Sequence, residues 1–178
     1  MNLVLVGYRG SGKSTVGGLL AAKMGWAFVD SDELIVQKTG RSIAEIFARE
    51  GEAAFRELEK DVCRSLRRRK DHVIALGGGA VLDPEIRALA RQIGRVVWLR
   101  APAVVLWSRI SQDPRSPALR PDLLPGGGLP EVEAVLKQRE PLYRKTANHW
   151  VDTYPGTPEQ IAETIRTWFE ANDATRAR

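Results

Sequence analysis

The chain has 178 residues, of which 43% are hydrophobic, and its formal net charge is +5 at pH 7. This length is enough for one domain with a buried core and is short for two. A positive charge suits either nucleic acid or small anions, but no aromatic residue interleaves with the basic clusters at 67–70 and 175–178, which argues against a nucleic-acid groove.

The single cysteine and the short apolar runs restrict the class of protein. Cys63 is the only cysteine, so neither an internal disulfide nor a cysteine-based zinc cluster is expected, and we interpret it as a core residue of a helix. No apolar run approaches the roughly 18 residues that a membrane span needs. The N-terminal apolar run is also too short for a signal peptide. We therefore expect a cytoplasmic protein that binds neither membrane nor nucleic acid.

Short apolar runs alternate with longer helical patterns along the whole chain. The runs are too short for helices and rich in valine or bulky residues, so they are predicted to be strands, at 2–6, 27–29, 73–76, 95–99 and 149–151. Helix starts are predicted from capping boxes at 42–45 and 157–160 and from an Asp-Pro pair at 83–84. This alternation predicts a three-layer αβα fold around a five-stranded parallel sheet.

The stretch GYRGSGKST at 7–15 follows the first predicted strand and opens a helix. It fits the P-loop pattern G-x-x-x-x-G-K-[ST] through Gly7, Gly12, Lys13 and Ser14. Glycines allow several backbone N–H groups to point at one anion, and the helix N-terminus adds its positive dipole. Lys13 provides charge for the outer phosphates, and the Ser14 hydroxyl suits Mg²⁺. The P-loop therefore predicts ATP with magnesium as the ligand.

Two further unusual stretches follow the second and third predicted strands, at the same edge of a parallel sheet. Asp30 could face magnesium through water and Asp32 could reach an acceptor hydroxyl; the alternative is that one or both cap the helix beginning near Glu33. The three glycines at 77–79, called here the glycine run, indicate a close approach of some group to bare backbone, with a tight turn as the alternative.

Two arginines in helical patterns are candidates for an anionic ligand. Arg56 lies beside the apolar stripe of a helix predicted over 52–69, and Glu59 one turn later can hold it in place. Arg139 lies near the end of another helical pattern. The alternative for a lone helix arginine is a solvated face.

The segment 111–130 is rich in proline and glycine and carries Arg115 and Arg120. Long irregular segments inside compact domains are commonly functional loops, so a mobile lid is predicted over about 111–130. The polar end, 173–178, is predicted to be frayed, which leaves a single domain over 1–172.

Together these stretches resemble the shikimate kinase family, in the nucleoside-monophosphate-kinase-like P-loop group. The resemblance covers nearly the whole chain and is carried by GYRGSGKST, FVDSDELI, TGRSIAEIF, EAAFRELE, ALGGGAV, LRPDLL, REPLYR and VDT. It implies a P-loop NTPase fold and transfer of the γ-phosphoryl group of ATP to the 3-hydroxyl of shikimate, a step towards chorismate and the aromatic amino acids.

The resemblance also implies residue roles. Catalysis is assigned to Lys13, Asp32 and Arg120, and magnesium to Ser14 and, through water, Asp30. The nucleotide is assigned to Gly10, Ser11, Gly12, Lys13, Ser14, Thr15, Arg109 and Arg120. Shikimate is assigned to Asp32, Arg56, Gly77, Gly78, Gly79 and Arg139. Arg109 is the weaker assignment, as a candidate for stacking on adenine, and Arg115 is expected to be a solvated loop charge. A monomer is expected.

Two rival functions differ in what they require. Another small-molecule kinase of the same fold, such as gluconate kinase, would also bind a carboxylate and hydroxyls; the glycine run and FRELE favour shikimate. A nucleotide-dependent switch or nucleic-acid-binding module would not need Asp32, Arg56 and Arg139 together.

The lid departs from the family pattern, since Asp122 interrupts the usual Arg-Pro-Leu-Leu.

Overall fold

A five-stranded parallel sheet lies at the centre of the structure, a computed structural model that describes residues 1–113 and 127–173. The strands are β1 (Asn2–Val6), β2 (Ala27–Asp30), β3 (His72–Ala75), β4 (Arg95–Arg100) and β5 (His149–Asp152). Their order across the sheet is β2-β3-β1-β4-β5, and every neighbouring pair is parallel. The predicted strands and the parallel sheet are confirmed.

Helices connect the strands and cover the sheet. They are α1 (Lys13–Met24), α2 (Ser31–Thr39), α3 (Ile43–Leu66), α4 (Pro84–Ile93), α5 (Ala103–Gln112), α6 (Gly128–Thr146) and α7 (Pro158–Asp173), with a 3₁₀ turn at Ala80–Leu82. The predicted caps are present: Ser42 and Glu45 form a capping box, and the Asp83 carboxylate accepts from two backbone N–H groups at the start of α4. The predicted lid range, 111–130, begins in the last turn of α5 and ends in the first turn of α6. Residues 114–126 lie outside the described residues.

One helix start differs from the sequence prediction and another agrees with it. Helix α2 begins at Ser31 and not near Glu33, because the Asp30 side chain accepts a hydrogen bond from Asp32 N and so caps the helix earlier. Helix α3 begins at Ile43, where the capping box at 42–45 predicted a helix start, and its second part contains most of the helical stretch predicted over 52–69.

The strands alternate their side chains between two apolar layers. Val4, Ile74 and Trp98 face a layer that includes residues of α2, α3, α4 and α6. Leu5 and Val97 face the opposite layer, which is formed with α1 and α7. Because both faces are covered, the central strands are apolar on both sides, which explains why they read as continuous hydrophobic runs.

The parallel register brings three strand ends to one edge. Ala75 of β3 pairs with Leu5 of β1 on one side and with Asp30 of β2 on the other. The segments that follow these strands are the P-loop, the start of α2 and the glycine run. The sequence prediction that they share one edge is confirmed.

Two expectations from composition were checked against the structure. Cys63 is buried in α3, and burial, with the nearby charge of Glu59 as a smaller cause, raises the pKa of its thiol to about 12. It is thus a core residue whose thiolate is disfavoured. Within residues 1–113 and 127–173, no helix combines the length and apolar character that crossing a membrane requires.

Helix α3 is interrupted at Gly51. This residue has φ 80° and ψ 175°, a combination that is essentially restricted to glycine. The interruption divides α3 into 43–50 and 52–66, which Phe47 and Phe55 join across the break with their ring centroids 4.8 Å apart. The change of direction fits both parts onto the sheet.

We expect Gly51→Ala to lower the free energy of unfolding by about 1–3 kcal/mol, because an alanine would be strained at this φ and ψ. Gly18→Ala is the matched control: Gly18 lies inside α1, and an added Cβ would meet no atom within 4 Å. The control should gain about 0.5–1 kcal/mol from its better helix propensity. Urea titration of both variants measures the difference. An unchanged midpoint for Gly51→Ala would show that α3 can continue through the break.

Candidate active site

A cleft of about 920 Å³ opens at the carboxyl edge of the sheet, where the P-loop, α2, the glycine run, α5 and α6 converge. The predicted site residues that line it are Gly10, Ser11, Gly12, Lys13, Ser14, Thr15, Asp30, Asp32, Gly78, Arg109 and Arg139. Three predicted residues do not line it: Arg56, Gly77 and Gly79. Arg120 lies outside the described residues.

The P-loop curls around the N-terminus of α1. Gly10 and Gly12 have φ angles of 79° and 91°, and Ser11 N donates to Tyr8 O at 3.2 Å. The Lys13 ammonium folds back over the loop and donates to the carbonyls of Gly7, at 2.8 Å, and Tyr8, at 3.0 Å. The first turn of α1 contains no acidic residue and its N-cap glycine offers no side-chain acceptor. The first N–H groups of α1 can therefore bind an anion, as helix N-termini commonly do.

Ser14 and Asp30 bring two hard oxygen atoms together beside the P-loop. Ser14 Oγ donates to Asp30 Oδ2 at 2.8 Å, and Asp30 Oδ1 accepts from Asp32 N at 2.9 Å. Asp30 thus caps α2 and faces the P-loop serine at the same time, while its contact with magnesium through water stays a prediction. Oxygen donors of this kind suit Mg²⁺, which usually takes one or two protein ligands and completes its shell with phosphates and water.

Asp32 lies in the first turn of α2 and lines the cleft, half-buried. Its neighbour Ser31 is buried and points its hydroxyl to the glycine run, where it accepts from Gly77 N at 3.0 Å. Helix α2 thereby presents Asp32 to the cleft from a backbone that is fixed to the neighbouring strand end.

Gly78 is the contact point between the glycine run and the P-loop. A Cβ atom on Gly78 would lie 3.2 Å from Arg9 N and 3.5 Å from Gly7 O. The Gly78 carbonyl oxygen accepts from Arg139 Nη1 at 3.2 Å and from the Tyr143 hydroxyl at 2.5 Å. The close approach that the glycine run indicated is therefore to the P-loop backbone.

Arg139 is a buried cation at the wall of the cleft. It is 5% exposed, and its guanidinium lies 5.7 Å from the centroid of the Tyr8 ring. Among the described residues, its Nε has no hydrogen-bond partner. A buried guanidinium that is only partly paired favours an anionic ligand, because each unmade charged hydrogen bond is costly. The alternative of a solvated helix arginine is excluded for Arg139.

Arg56 is held by carboxylates of its own helix. Its guanidinium contacts Glu59 Oε2 at 2.5 Å and Glu52 Oε1 at 2.7 Å. Desolvation alone would lower the pKa of Arg56, but the charge and hydrogen bond of Glu59, supported by Glu52, raise it above its ordinary value. The predicted role of Glu59 in holding Arg56 is confirmed by this contact.

Arg109 joins the P-loop to the segment that follows β5. It donates to Gly10 O at 3.2 Å and to the backbone oxygen and hydroxyl of Thr153 at 2.9 and 3.1 Å. These bonds fix Arg109 at the rim of the cleft. Stacking on adenine stays a prediction.

Thr153, Tyr143 and Glu131 are among the residues in or beside the cleft that were not assigned from the sequence. Thr153 and Tyr143 lie in VDT and REPLYR, two of the stretches that carried the resemblance, but their contacts are with residues far away in the chain. Glu131, buried in the first turn of α6, lines the cleft and gave no sequence signal.

We expect Glu59→Gln to lower the free energy of unfolding by about 1.5–3 kcal/mol, because the Glu59 side chain is only 2% exposed and pairs with a largely buried guanidinium. Glu52→Gln is the control on the other side of Arg56; Glu52 is 62% exposed and should change stability by about 0.5 kcal/mol or less. Chemical denaturation of both variants checks this. Equal losses would contradict the assignment of Glu59 as the principal partner.

The whole chain is similar to known proteins in sequence and in structure. A sequence model of the family described as shikimate kinase matches residues 9–170. Shikimate kinase from Rhodopirellula baltica is 44% identical over 160 residues, which cover 90% of this chain and 86% of that protein. Shikimate kinase from Salinibacter ruber is 45% identical over 172 residues, which cover 93% of this chain and 83% of that protein.

The fold agrees with a solved structure of the same family. Shikimate kinase from Acinetobacter baumannii, determined in complex with shikimate, superposes with a TM-score of 0.89 at 37% identity. The superposition covers 96% of this chain and 93% of that one. The P-loop fold predicted from the sequence is confirmed, and the chain belongs to the shikimate kinase family.

Proposed function

We propose that this chain transfers the γ-phosphoryl group of ATP to the 3-hydroxyl of shikimate, giving 3-phosphoshikimate and ADP. Family membership supports the reaction, and the relative from A. baumannii is known in complex with shikimate. The observation that carries the proposal is the pairing, in one cleft, of a phosphate-binding loop with a buried and incompletely paired arginine. The first suits a nucleotide and the second suits the carboxylate of the acceptor.

The nucleotide half of the proposed site is the P-loop with the N-terminus of α1. Backbone N–H groups between Gly10 and Thr15 hold the phosphates, and Lys13 neutralises the charge that develops on the transferred group. Phosphoryl transfer needs in-line placement and charge neutralisation more than covalent chemistry. Fixed donors in a partly enclosed cleft provide both.

The acceptor half of the proposed site lies between α2, α3 and α6. Arg139 donates to the shikimate carboxylate, and each charged hydrogen bond contributes about 1.5–3 kcal/mol. Asp32 accepts from hydroxyl groups, orients the 3-hydroxyl and can take its proton. Arg56 does not line the cleft, so its proposed contact with the carboxylate requires its side chain to reach past Glu59.

Magnesium fits the donor set beside the P-loop. Ser14 Oγ would be a direct ligand and Asp30 would act through water, since the two oxygens already lie 2.8 Å apart. When bound there, Mg²⁺ would supply positive charge that offsets the negative charge of the phosphates. The protein's part is to hold Ser14 at the start of α1 and Asp30 at the start of α2.

Several proposals rest on the sequence. Arg120, outside the described residues, is proposed to reach the phosphates from a lid, with Arg115 as a solvated charge. A single kinase domain over 1–172, a monomer and a cytoplasmic location are likewise proposed.

We expect ADP release to require shikimate and magnesium together with ATP. A coupled assay with shikimate, gluconate or no acceptor measures this directly, and gluconate should give no more than the background rate. A salt-dependent gel-shift assay with DNA and RNA should show no specific complex. Stimulation by gluconate alone, or tight nucleic-acid binding without turnover of shikimate, would favour one of the rival functions.

We expect Lys13→Ala and Arg139→Ala to separate the two halves of the site. Lys13→Ala should cut kcat severely and keep shikimate binding, because Lys13 touches phosphate. Arg139→Ala should weaken shikimate binding by about tenfold to a hundredfold, because the carboxylate loses charged hydrogen bonds.

Calorimetric titration of shikimate into each variant measures both effects. Arg144→Ala is the matched control, because Arg144 is an exposed arginine on the same helix and does not line the cleft. Its shikimate affinity should equal that of the unmodified protein. Equal losses in the Lys13 and Arg139 variants would contradict the division of roles.

A further inference from the structure

We propose that Tyr143 is a positioning residue for the acceptor half of the cleft. Its hydroxyl fixes the orientation of the Gly78 peptide and so leaves Arg139 available to the substrate carboxylate. The proposal deepens the function proposed above and rests on it, since it concerns how shikimate is held.

The Gly78 carbonyl oxygen receives two hydrogen bonds from α6. Tyr143 donates at 2.5 Å and Arg139 Nη1 donates at 3.2 Å. A carbonyl oxygen has two lone pairs, so both are used. The shorter bond is that of the tyrosine, and the geometry points to Tyr143 as the principal donor.

Tyr143 is itself fixed by the core. Its side chain is 0% exposed, and its ring stacks on Trp98 of β4 with centroids 5.7 Å apart and planes inclined by 22°. The hydroxyl therefore projects from a rigid platform that belongs to the sheet. Arg139 lies one turn earlier on α6, with its guanidinium directed along the cleft wall against Tyr8.

Hydrogen bonds fix two neighbouring residues of the glycine run, Gly77 and Gly78. Gly77 N donates to the buried Ser31 hydroxyl, and the Gly78 carbonyl faces α6. The peptide between Gly78 and Gly79 is trans, so the Gly79 N–H points away from the carbonyl and from the two α6 donors. The backbone dihedral angles of glycine are little restricted, so this peptide could adopt several orientations. The hydrogen bond from the Tyr143 hydroxyl selects one of them.

Rotation of this peptide would act on both halves of the site. The Gly78 Cα lies against the P-loop, since an added Cβ would be 3.2 Å from Arg9 N. Without the tyrosine hydroxyl, Arg139 would be the only α6 donor to Gly78 O. The same guanidinium would then be drawn to the carbonyl and away from a carboxylate in the cleft. The loss would be seen in shikimate binding before it is seen in nucleotide binding.

The test is Tyr143→Phe, which removes the hydroxyl and keeps the ring that stacks on Trp98. We expect KM and Kd for shikimate to rise roughly tenfold, the loss of about one hydrogen bond. The KM for ATP and the Kd for ADP should stay within about twofold of the unmodified protein. A melting curve confirms that the variant is folded.

The matched control is Thr146→Val, which removes another buried hydroxyl from α6. Thr146 is 1% exposed and donates to Leu142 O at 2.7 Å, within the helix and away from the glycine run. We expect this variant to be less stable, but its KM for shikimate should be that of the unmodified protein. The comparison separates positioning of Gly78 from general support of the helix.

Three results would overturn the proposal: an unchanged KM for shikimate in Tyr143→Phe, an equal rise in Thr146→Val, or an equal rise in the KM for ATP. Turnover of shikimate by the unmodified protein is measured first, because it tests the proposed function separately. Failure there refutes the function, whereas normal turnover with an unaffected Tyr143→Phe refutes only the role of Tyr143.

Discussion

The contact between Gly78 and the P-loop backbone is the constraint on which the cleft depends. A Cβ atom on Gly78 would lie 3.2 Å from Arg9 N and 3.5 Å from Gly7 O, so a side chain there would require the two loops to move apart slightly. The loops come from β1 and β3, neighbouring strands that end at the same edge. Their direct packing sets the distance between the phosphate-binding half and the acceptor half of the cleft. Proximity of this kind is a principal source of rate in phosphoryl transfer, where the protein forms few covalent bonds.

Cations line the cleft, and the carboxylates of Glu59 and Asp30 orient residues around it. Lys13 and Arg139 line the cleft. Glu59 holds Arg56 from within the core, and Asp30 caps α2 while accepting from the P-loop serine. A site that binds two anions would be weakened by unpaired carboxylates, but carboxylates engaged in caps and ion pairs orient the cations instead.

The sheet could be predicted from the sequence because each signal for it lies within a few neighbouring residues. Five short apolar runs, a P-loop and three helix caps are such signals, and each indicates one kind of local structure. The start of α2 was placed near Glu33 and not at Ser31, because apolar periodicity fades in its polar first turn, where the Asp30 cap decides. At the site, the P-loop and the Asp30–Asp32 pair could be recognised for the same reason as the sheet.

Other parts of the site could not be predicted because they depend on partners far away in the chain. Tyr143 meets Gly78 across 65 positions, and Arg109 meets Thr153 across 44. The helical pattern of α3 predicted that Glu59 holds Arg56, because the two residues lie about one turn apart on the same helix. No pattern could show that Arg139 is buried, since its burial comes from the P-loop Tyr8 and the glycine run.

The central place of β1 has a consequence for the order in which the chain folds. Strand β1 leaves the ribosome before its two neighbours; it pairs with β3 through Asn2 and His72, and with β4 through Leu3 and Arg95. A nascent chain must therefore carry an apolar strand with no neighbour until β3 has emerged, and can enclose it only after β4. Such long-range parallel pairing folds slowly and exposes strand edges meanwhile. The P-loop is shaped by the end of β1, so the nucleotide site can form only late in synthesis, after most of the sheet is in place.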